Sequence, residues 1–380
     1  MLRVALVGVG ERAELVKLLP TMPGHPVAVA AIDPLESRRR RAQQEFGIPL
    51  VGVSVDELDD LNIDAALVTT PDHTHAEVAC ALLRMGIPVF LEKPIAISLD
   101  DADLILKTSL DTGTKLYVGH NMRHMQVIRL LKQLIDSGEI GEVKAIWCRH
   151  FVGNGGDYYF RDWHAERRYT ASLLLQKGVH DIDVIHWLAG GVAQLVVGIG
   201  DRQVYGRMES HSKPGDDRPG GLMSTWHSHD KWPPEVLTGL NPNSDVEDIS
   251  MVLMRLDNGV LASYEQCHFT PDYWRNYTVI GTRGRIENFG DGEGSIVRLW
   301  NQRGEYRPEA DAEYLVSQDG EGHEDADEKT LSEFFTFVLT GDDTETSPVA
   351  AREAVATGLA ATESLRRGSI PVAVPPWNPR

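Results

Sequence analysis

The chain reads as an α/β protein in two parts, an N-terminal doubly wound parallel sheet followed by a C-terminal α/β domain on a mostly antiparallel sheet. Three observations predict this. Up to about residue 120, short apolar, β-branched runs alternate with helix-like segments, the pattern of a parallel sheet covered on both faces. The first of those runs leads straight into GVGERA at 8–13. Beyond about residue 123 the pattern changes to meandering strands, with Asn258-Gly259 marking a two-residue hairpin turn inside ISMVLMRLDNGVLASYEQCHF.

In the first part RVALVGV, VAVAAID, AALVTT, PVFLE and KLYVGH are the predicted strands, separated by stretches such as ESRRRRAQQEF and HAEVACALLRMG. In the second, the helix HMQVIRLLKQLIDSG leads to the strand EVKAIWCRHF, an aromatic and charged loop at 153–170, and an apolar helix, LLLQKGVHDIDVIHWL, at 173–188. Residues 206–248 have loop composition, and DEKTLSEFFTFVLTG and PVAAREAVATGLAATESLRRG are closing helices.

Length and charge narrow the function. At ~150 residues per domain, 380 residues suggest two domains. Lys plus Arg total 37 against 56 Asp plus Glu, and the net charge of -19 repels phosphate backbones and anionic membranes, so no nucleic-acid or membrane partner is expected. Cys80, Cys148 and Cys267 lie far apart without CxxC spacing, which suits core thiols in a reducing compartment. No secretory signal pattern opens the chain and no run approaches ~20 apolar residues, so a soluble cytoplasmic protein is expected. His211, His227 and His229 show no third ligand at a recognisable spacing, and no metal is expected.

GVGERA has the form G-x-G-x-x-A. Gly8 permits a tight turn, Gly10 lets a pyrophosphate approach the backbone, and Ala13 allows close helix packing, with Glu11 and Arg12 bordering the same turn. Asp33 ends the second predicted strand, where a carboxylate can bind both adenosine ribose hydroxyls and repel a 2'-phosphate, favouring NAD over NADP. Against this stands the basic run Arg38 to Arg41, read mainly as a solvated face near Glu36 and Glu45, with Arg38 placed to lie against adenine. TTPDHTH at 69–75 and EKP at 92–94 follow two further strands, at the carboxyl edge where a nicotinamide should lie.

GVGERA, TTPDHTH, EKP, GHNMR at 119–123, the HDID segment and VIGTRGRIEN together resemble the Gfo/Idh/MocA oxidoreductases over essentially the whole chain. The resemblance implies a Rossmann domain over 1–122 and a substrate-binding and oligomerisation domain with an open, mostly antiparallel sheet over 123–380, in a homodimer or homotetramer. It also implies NAD(P)-dependent redox chemistry at a secondary alcohol or carbonyl of a sugar, cyclitol or related polyol. Lys93 would stand next to substrate and nicotinamide, and Thr70, Pro71, His75, Glu92 and Asn121 would border the cofactor. In one respect this sequence departs from the pattern: an Asp normally precedes the site His by four residues, and here His180 is preceded by Gln176, which cannot carry charge.

A hydroxyl losing hydride must also lose its proton, and a lysine accepts that proton near neutral pH only if burial and nearby positive charge lower its pKa. Lys93 is assigned that role and His180 a hydrogen bond to the reacting hydroxyl. On a helical wheel at ~100° per residue, Gln176, His180, Asp183 and Trp187 share one stripe, with Lys177 ~60° from His180. Lys177 either enters the pocket or pairs with Asp181, and His186 packs elsewhere. The loop 153–170 offers Tyr158, Arg161, Trp163 and His164 to a sugar ring, or else forms an oligomer contact, and His323 is a further pocket residue. Two rival functions stay open: redox-neutral elimination or glycoside cleavage assisted by tightly held NAD, and a non-catalytic NAD-binding regulator.

Overall fold

A computed structural model describes residues 1–153, 156–208, 232–237, 239–305, 307–316 and 322–378, the side chains of 236 and 322–325 apart. The N-terminal strands are β1 (Arg3–Val7), β2 (Val27–Ile32), β3 (Leu50–Gly52), β4 (Ala65–Val68), β5 (Val89–Leu91) and β6 (Leu116–Val118). They form one parallel sheet in the order β3-β2-β1-β4-β5-β6. The order reverses between β1 and β4, which opens a crevice at the carboxyl edge there. Strand β3 is only LVG, too short to stand out as a periodic run. Crossovers are made by 3-10 turns over Glu11–Thr21 and by α1 (Glu36–Phe46), α2 (His75–Arg84) and α3 (Leu99–Thr112).

The second sheet has nine strands: β7 (Val143–Val152), β8 (Ala193–Asp201), β9 (Ile249–Leu256), β10 (Leu261–Cys267), β11 (Tyr273–Gly281), β12 (Arg285–Phe289), β13 (Ile296–Trp300), β14 (Ala312–Leu315) and β15 (Val372–Ala373). Its order is β14-β13-β12-β11-β7-β10-β9-β8-β15, and only the β7–β10 pair is parallel. The β9–β10 hairpin corrects the predicted turn. Gly259 N–H donates to Leu256 O at 3.0 Å and Leu256 N–H to Val260 O at 2.9 Å. This encloses three residues, with Gly259 alone at positive φ, +85°.

One face of this sheet is covered by α4 (Gln126–Asp136), α7 (Gly178–Ala189) and α9 (Pro348–Arg366), through Ile128, Leu131, Val184, Leu188, Ala356 and Ala360. The other face carries exposed Trp147, Ile199, Met251 and Leu253. The cores on both faces of the parallel sheet draw on residues beyond 123. From α8 (Gly322–Thr340), Leu331, Phe334 and Phe335 pack with Leu6, Phe90 and Tyr117. Leu175, Val179, Ile182 and Val355 join the core containing Val68 and Leu91. At about 1.5–3 kcal/mol per large apolar side chain buried, these contacts clamp the two sheets about the crevice. Among the described residues, no helix is long and apolar enough to cross a membrane.

Candidate active site

At the crevice mouth, Gly8 has φ +89° and passes so close to the end of β4 that a Cβ would lie 2.7 Å from Thr70 N. Gly10 differs: a Cβ there would meet nothing closer than Arg38 Nη1 at 3.7 Å. The protein's own packing therefore does not require glycine at 10, and the open space beside it suits a pyrophosphate. Asp33 is held at the end of β2, where Oδ2 accepts from Val9 N–H and Oδ1 from Leu35 N–H, both at 2.9 Å. The basic run is largely committed. Arg38 donates to Val9 O at 2.8 Å and Arg41 to Gly10 O at 2.7 Å, supporting the glycine turn through its carbonyls. Arg40 pairs with Glu36 and Arg41 also with Glu45, as the solvated-face reading expects.

Arg12 is placed differently from a simple phosphate ligand. Its guanidinium reaches Glu92 Oε1 at 2.6 Å and Asp327 Oδ2 at 2.7 Å, and although burial opposes it, these carboxylates hold its pKa above the usual arginine range. Asp327 also accepts from Asn121 Nδ2 at 2.7 Å. His75 is fully buried, with Nδ1 2.8 Å from Pro94 O and Nε2 3.0 Å from Thr70 O. Burial lowers its pKa to about 4, so the ring is neutral and has one N–H for two carbonyls. This internal ring braces the TTPDHTH and EKP segments against each other. Pro71 is exposed and Thr70 half-buried at the same edge.

The wall opposite this edge is not one continuous helix. After the single turn α5 (Arg167–Thr170), a short helix, α6 (Leu173–Gln176), ends at Lys177, which caps α7, so the stripe drawn on a single wheel is broken at its centre. The break turns the Gln176 carbonyl outward, and Lys93 Nζ donates to it at 2.9 Å. Asp183 is engaged by a bidentate pair with Arg123, at 2.6 and 2.7 Å, with its Oδ2 3.7 Å from His120 Nδ1. The alternative pairing of Lys177 with Asp181 does not form. Asp181 accepts from His150 Nδ1 at 3.0 Å and from Tyr277 OH, and its Oδ1 forms an ion pair with Arg275, 3.1 Å from Nε. His186 packs elsewhere as expected, accepting from Ala193 N–H at 3.2 Å.

Lys93, Lys177, His180 and His120 share this space, and the charge of Lys93 lowers the pKa of each of the other three. Burial lowers the Lys93 pKa, with Asp72 and Glu92 opposing. For Lys177, burial, then Arg275 and Lys93, lower it to about 7. Its Nζ lies 5.8 Å from the Tyr159 ring. Burial, then the two lysines, push His180 well down, so the imidazole is neutral at physiological pH. Gln176 Oε1, His180 Nδ1, both His120 nitrogens, Thr70 Oγ1 and Asn121 Oδ1 are buried without a hydrogen-bond partner among the described residues. Unpaired buried polar atoms are costly, and a cluster of them around one crevice fits a polar ligand that supplies the missing bonds.

The aromatic loop reaches the site in part. Tyr158 OH donates to Glu11 Oε2 at 3.2 Å, joining the loop to the glycine turn. His164 stacks on Trp163 and bonds Asp162 Oδ1 at 2.5 Å. Arg161 pairs with Asp157 at 2.6 Å. The side chain of His323 lies outside the described residues, as do His211, His227 and His229. Sequence reasoning missed three groups. His120 gave no spacing signal, Arg275 sits inside a strand and is wholly buried against Asp181, and Asp72 was passed over within TTPDHTH although it stands at the crevice edge.

Comparison with known proteins agrees with this geometry. Residues 2–120 match the model described as an oxidoreductase family with an NAD-binding Rossmann fold, and residues 128–287 match the GFO/IDH/MocA C-terminal domain. These are the two halves of one class of dinucleotide-binding oxidoreductases. The chain belongs to the GFO/IDH/MocA family. It is 31% identical over 193 residues to the inositol 2-dehydrogenase of Ralstonia nicotianae, a match covering 50% of this chain and 55% of that protein. It is 29% identical over 199 residues to the 2,7-anhydro-N-acetylneuraminate hydratase of Mediterraneibacter gnavus, covering 50% of each. The chain thus spans about half the length of these curated relatives. The fold is also that of levoglucosan dehydrogenase solved with NADH and levoglucosan, with a TM-score of 0.79 at 19% identity over 98% of this chain and 99% of that one.

Proposed function

We propose that the protein is an NAD-dependent dehydrogenase or reductase acting on a secondary alcohol or carbonyl of a sugar, cyclitol or related polyol. The observation that carries this is the placement of Lys93. It stands at the carboxyl edge of β5, desolvated, and tied to the substrate wall through Gln176 O at 2.9 Å. When bound, the nicotinamide supplies the hydride acceptor or donor. The chain's own part is to place the carbinol and manage its proton: Lys93 accepts the hydroxyl proton as a free amine, while neutral His180 orients the oxygen through its unpartnered ring nitrogen. Gly8, Gly10 and Asp33 hold the dinucleotide, with Tyr158 and Glu11 closing over the turn. Asp33, fixed by two backbone N–H groups, favours the unphosphorylated ribose of NAD. Lys177, Gln176 and His164 line the polyol side. Similarity to the inositol 2-dehydrogenase supports this substrate class.

Similarity to a hydratase favours one other reading, in which NAD stays bound and oxidation is transient. Scanning cyclitols, sugars and sugar acids for NADH at 340 nm, with NAD and NADP compared, separates the two. Net NADH formation supports the dehydrogenase; conversion without it supports the redox-neutral reaction. We further propose that the open face of the second sheet, with Trp147, Met251 and Leu253, joins subunits into a homodimer or homotetramer.

A further inference from the structure

One carboxylate at the crevice edge, Asp72, has no side-chain partner among the described residues. Asp72 is 5% exposed, its Oδ2 is buried without a hydrogen-bond partner among the described residues, and it follows β4 directly beside the segment that carries Lys93. Val68 and Leu91 are paired in register, Glu92 N–H donates to Val68 O at 3.0 Å, and the His75 ring ties Thr70 O to Pro94 O. The segments bearing Asp72 and Lys93 are thus fixed as a unit.

The other carboxylates around this space are taken. Glu92 pairs with Arg12, Asp183 with Arg123, Asp181 with Arg275 and Asp162 with His164, while Glu11 accepts from Tyr158 OH. Gln176 brings no charge from the opposite wall. We propose that Asp72 is the positioning and proton-relay partner of Lys93, so that the carboxylate this chemistry uses comes from the parallel sheet. The inference rests on Lys93 being the proton acceptor.

The step balances simply. As the carbinol is oxidised, with bound NAD to take the hydride, the hydroxyl proton passes to the Lys93 amine; no direct Lys93–Asp72 hydrogen bond is formed, so the resulting ammonium passes one proton by way of water to the Asp72 carboxylate, leaving a neutral amine and a carboxylic acid. The groups facing Asp72 suit this. Burial raises its pKa to about 7, while Lys93, His164 and a hydrogen bond from its own backbone N–H pull it back and Glu92 adds to the rise. Lys93 and Asp72 are each the other's strongest opposite charge.

The test reads Lys93 directly, without turnover. Lys93 in the full chain is labelled with acetic anhydride across pH, with its labelling fraction measured by mass spectrometry and NAD affinity measured in parallel as a control of the crevice. In Asp72→Asn the labelling pKa of Lys93 should fall by about one unit, the size expected on removing a close opposite charge, with NAD affinity within about twofold. Adding Gln176→Asp to that variant should restore it. An unmoved Lys93 pKa in Asp72→Asn overturns the proposal. Infrared spectroscopy needs no variant: wild type should show an aspartic acid C=O band that titrates near neutral pH, and its absence likewise overturns the proposal. Because neither readout uses turnover, full activity in Lys93→Ala would remove the parent reading separately.

Discussion

Lys93 Nζ donates to the Gln176 main-chain oxygen at 2.9 Å, across the crevice between the two sheets. That carbonyl is available because the helix breaks at Lys177. One consequence concerns pH. With the free amine of Lys93 as the proposed base, alcohol oxidation should rise with pH through a limb below the ordinary lysine value of 10.5. Glu92→Gln removes a carboxylate that holds the Lys93 pKa up and should move that limb to lower pH by about half a unit to one unit. A pH profile of kcat/KM for each protein checks it.

Asp183 and Arg123 form a buried bidentate pair, with side chains 2% and 7% exposed. Asp183→Ala leaves a buried guanidinium without its counter-charge and should destabilise the fold by about 3–5 kcal/mol in urea unfolding. A loss below about 1 kcal/mol would return Asp183 to the substrate wall where the helical wheel placed it.

Glu333 should govern acid stability. Burial alone would raise its pKa, but hydrogen bonds from His124 and Tyr117 hold it at about 2, against 4.5 for an ordinary glutamate. Because its folded pKa is depressed, the stabilisation is present above pH ~4.5 and is lost as pH falls toward ~2, amounting to about 3 kcal/mol. Glu333→Gln should flatten the stability–pH curve across that window.

Asp33→Ser should weaken NAD binding by about tenfold to a hundredfold, the loss expected for hydrogen bonds to a charged group, and narrow the preference over NADP. Direct titration with both cofactors reads this out.

Much of the fold was legible because apolar runs and glycine turns report local backbone needs. The parallel sheet, the Gly8 turn and the role of Asp33 as a strand-end carboxylate all follow from short-range pattern. What escaped depends on long-range packing. The break at Lys177 lies inside an apolar, helix-compatible run, and nothing local marks it. Arg275 reads as a surface residue of a strand until Asp181, 94 positions earlier in sequence, is placed against it. The hairpin turn was located correctly but counted one residue short, since Asn-Gly serves both loop lengths.

The central claim is that Lys93 handles the substrate proton. The most direct measurement compares Lys93→Ala with wild type for NAD affinity and for NADH formation at 340 nm on the polyol that the substrate scan identifies. The account predicts unchanged NAD affinity and a fall in hydride transfer of about 10²- to 10⁴-fold. Unchanged turnover in Lys93→Ala would contradict it.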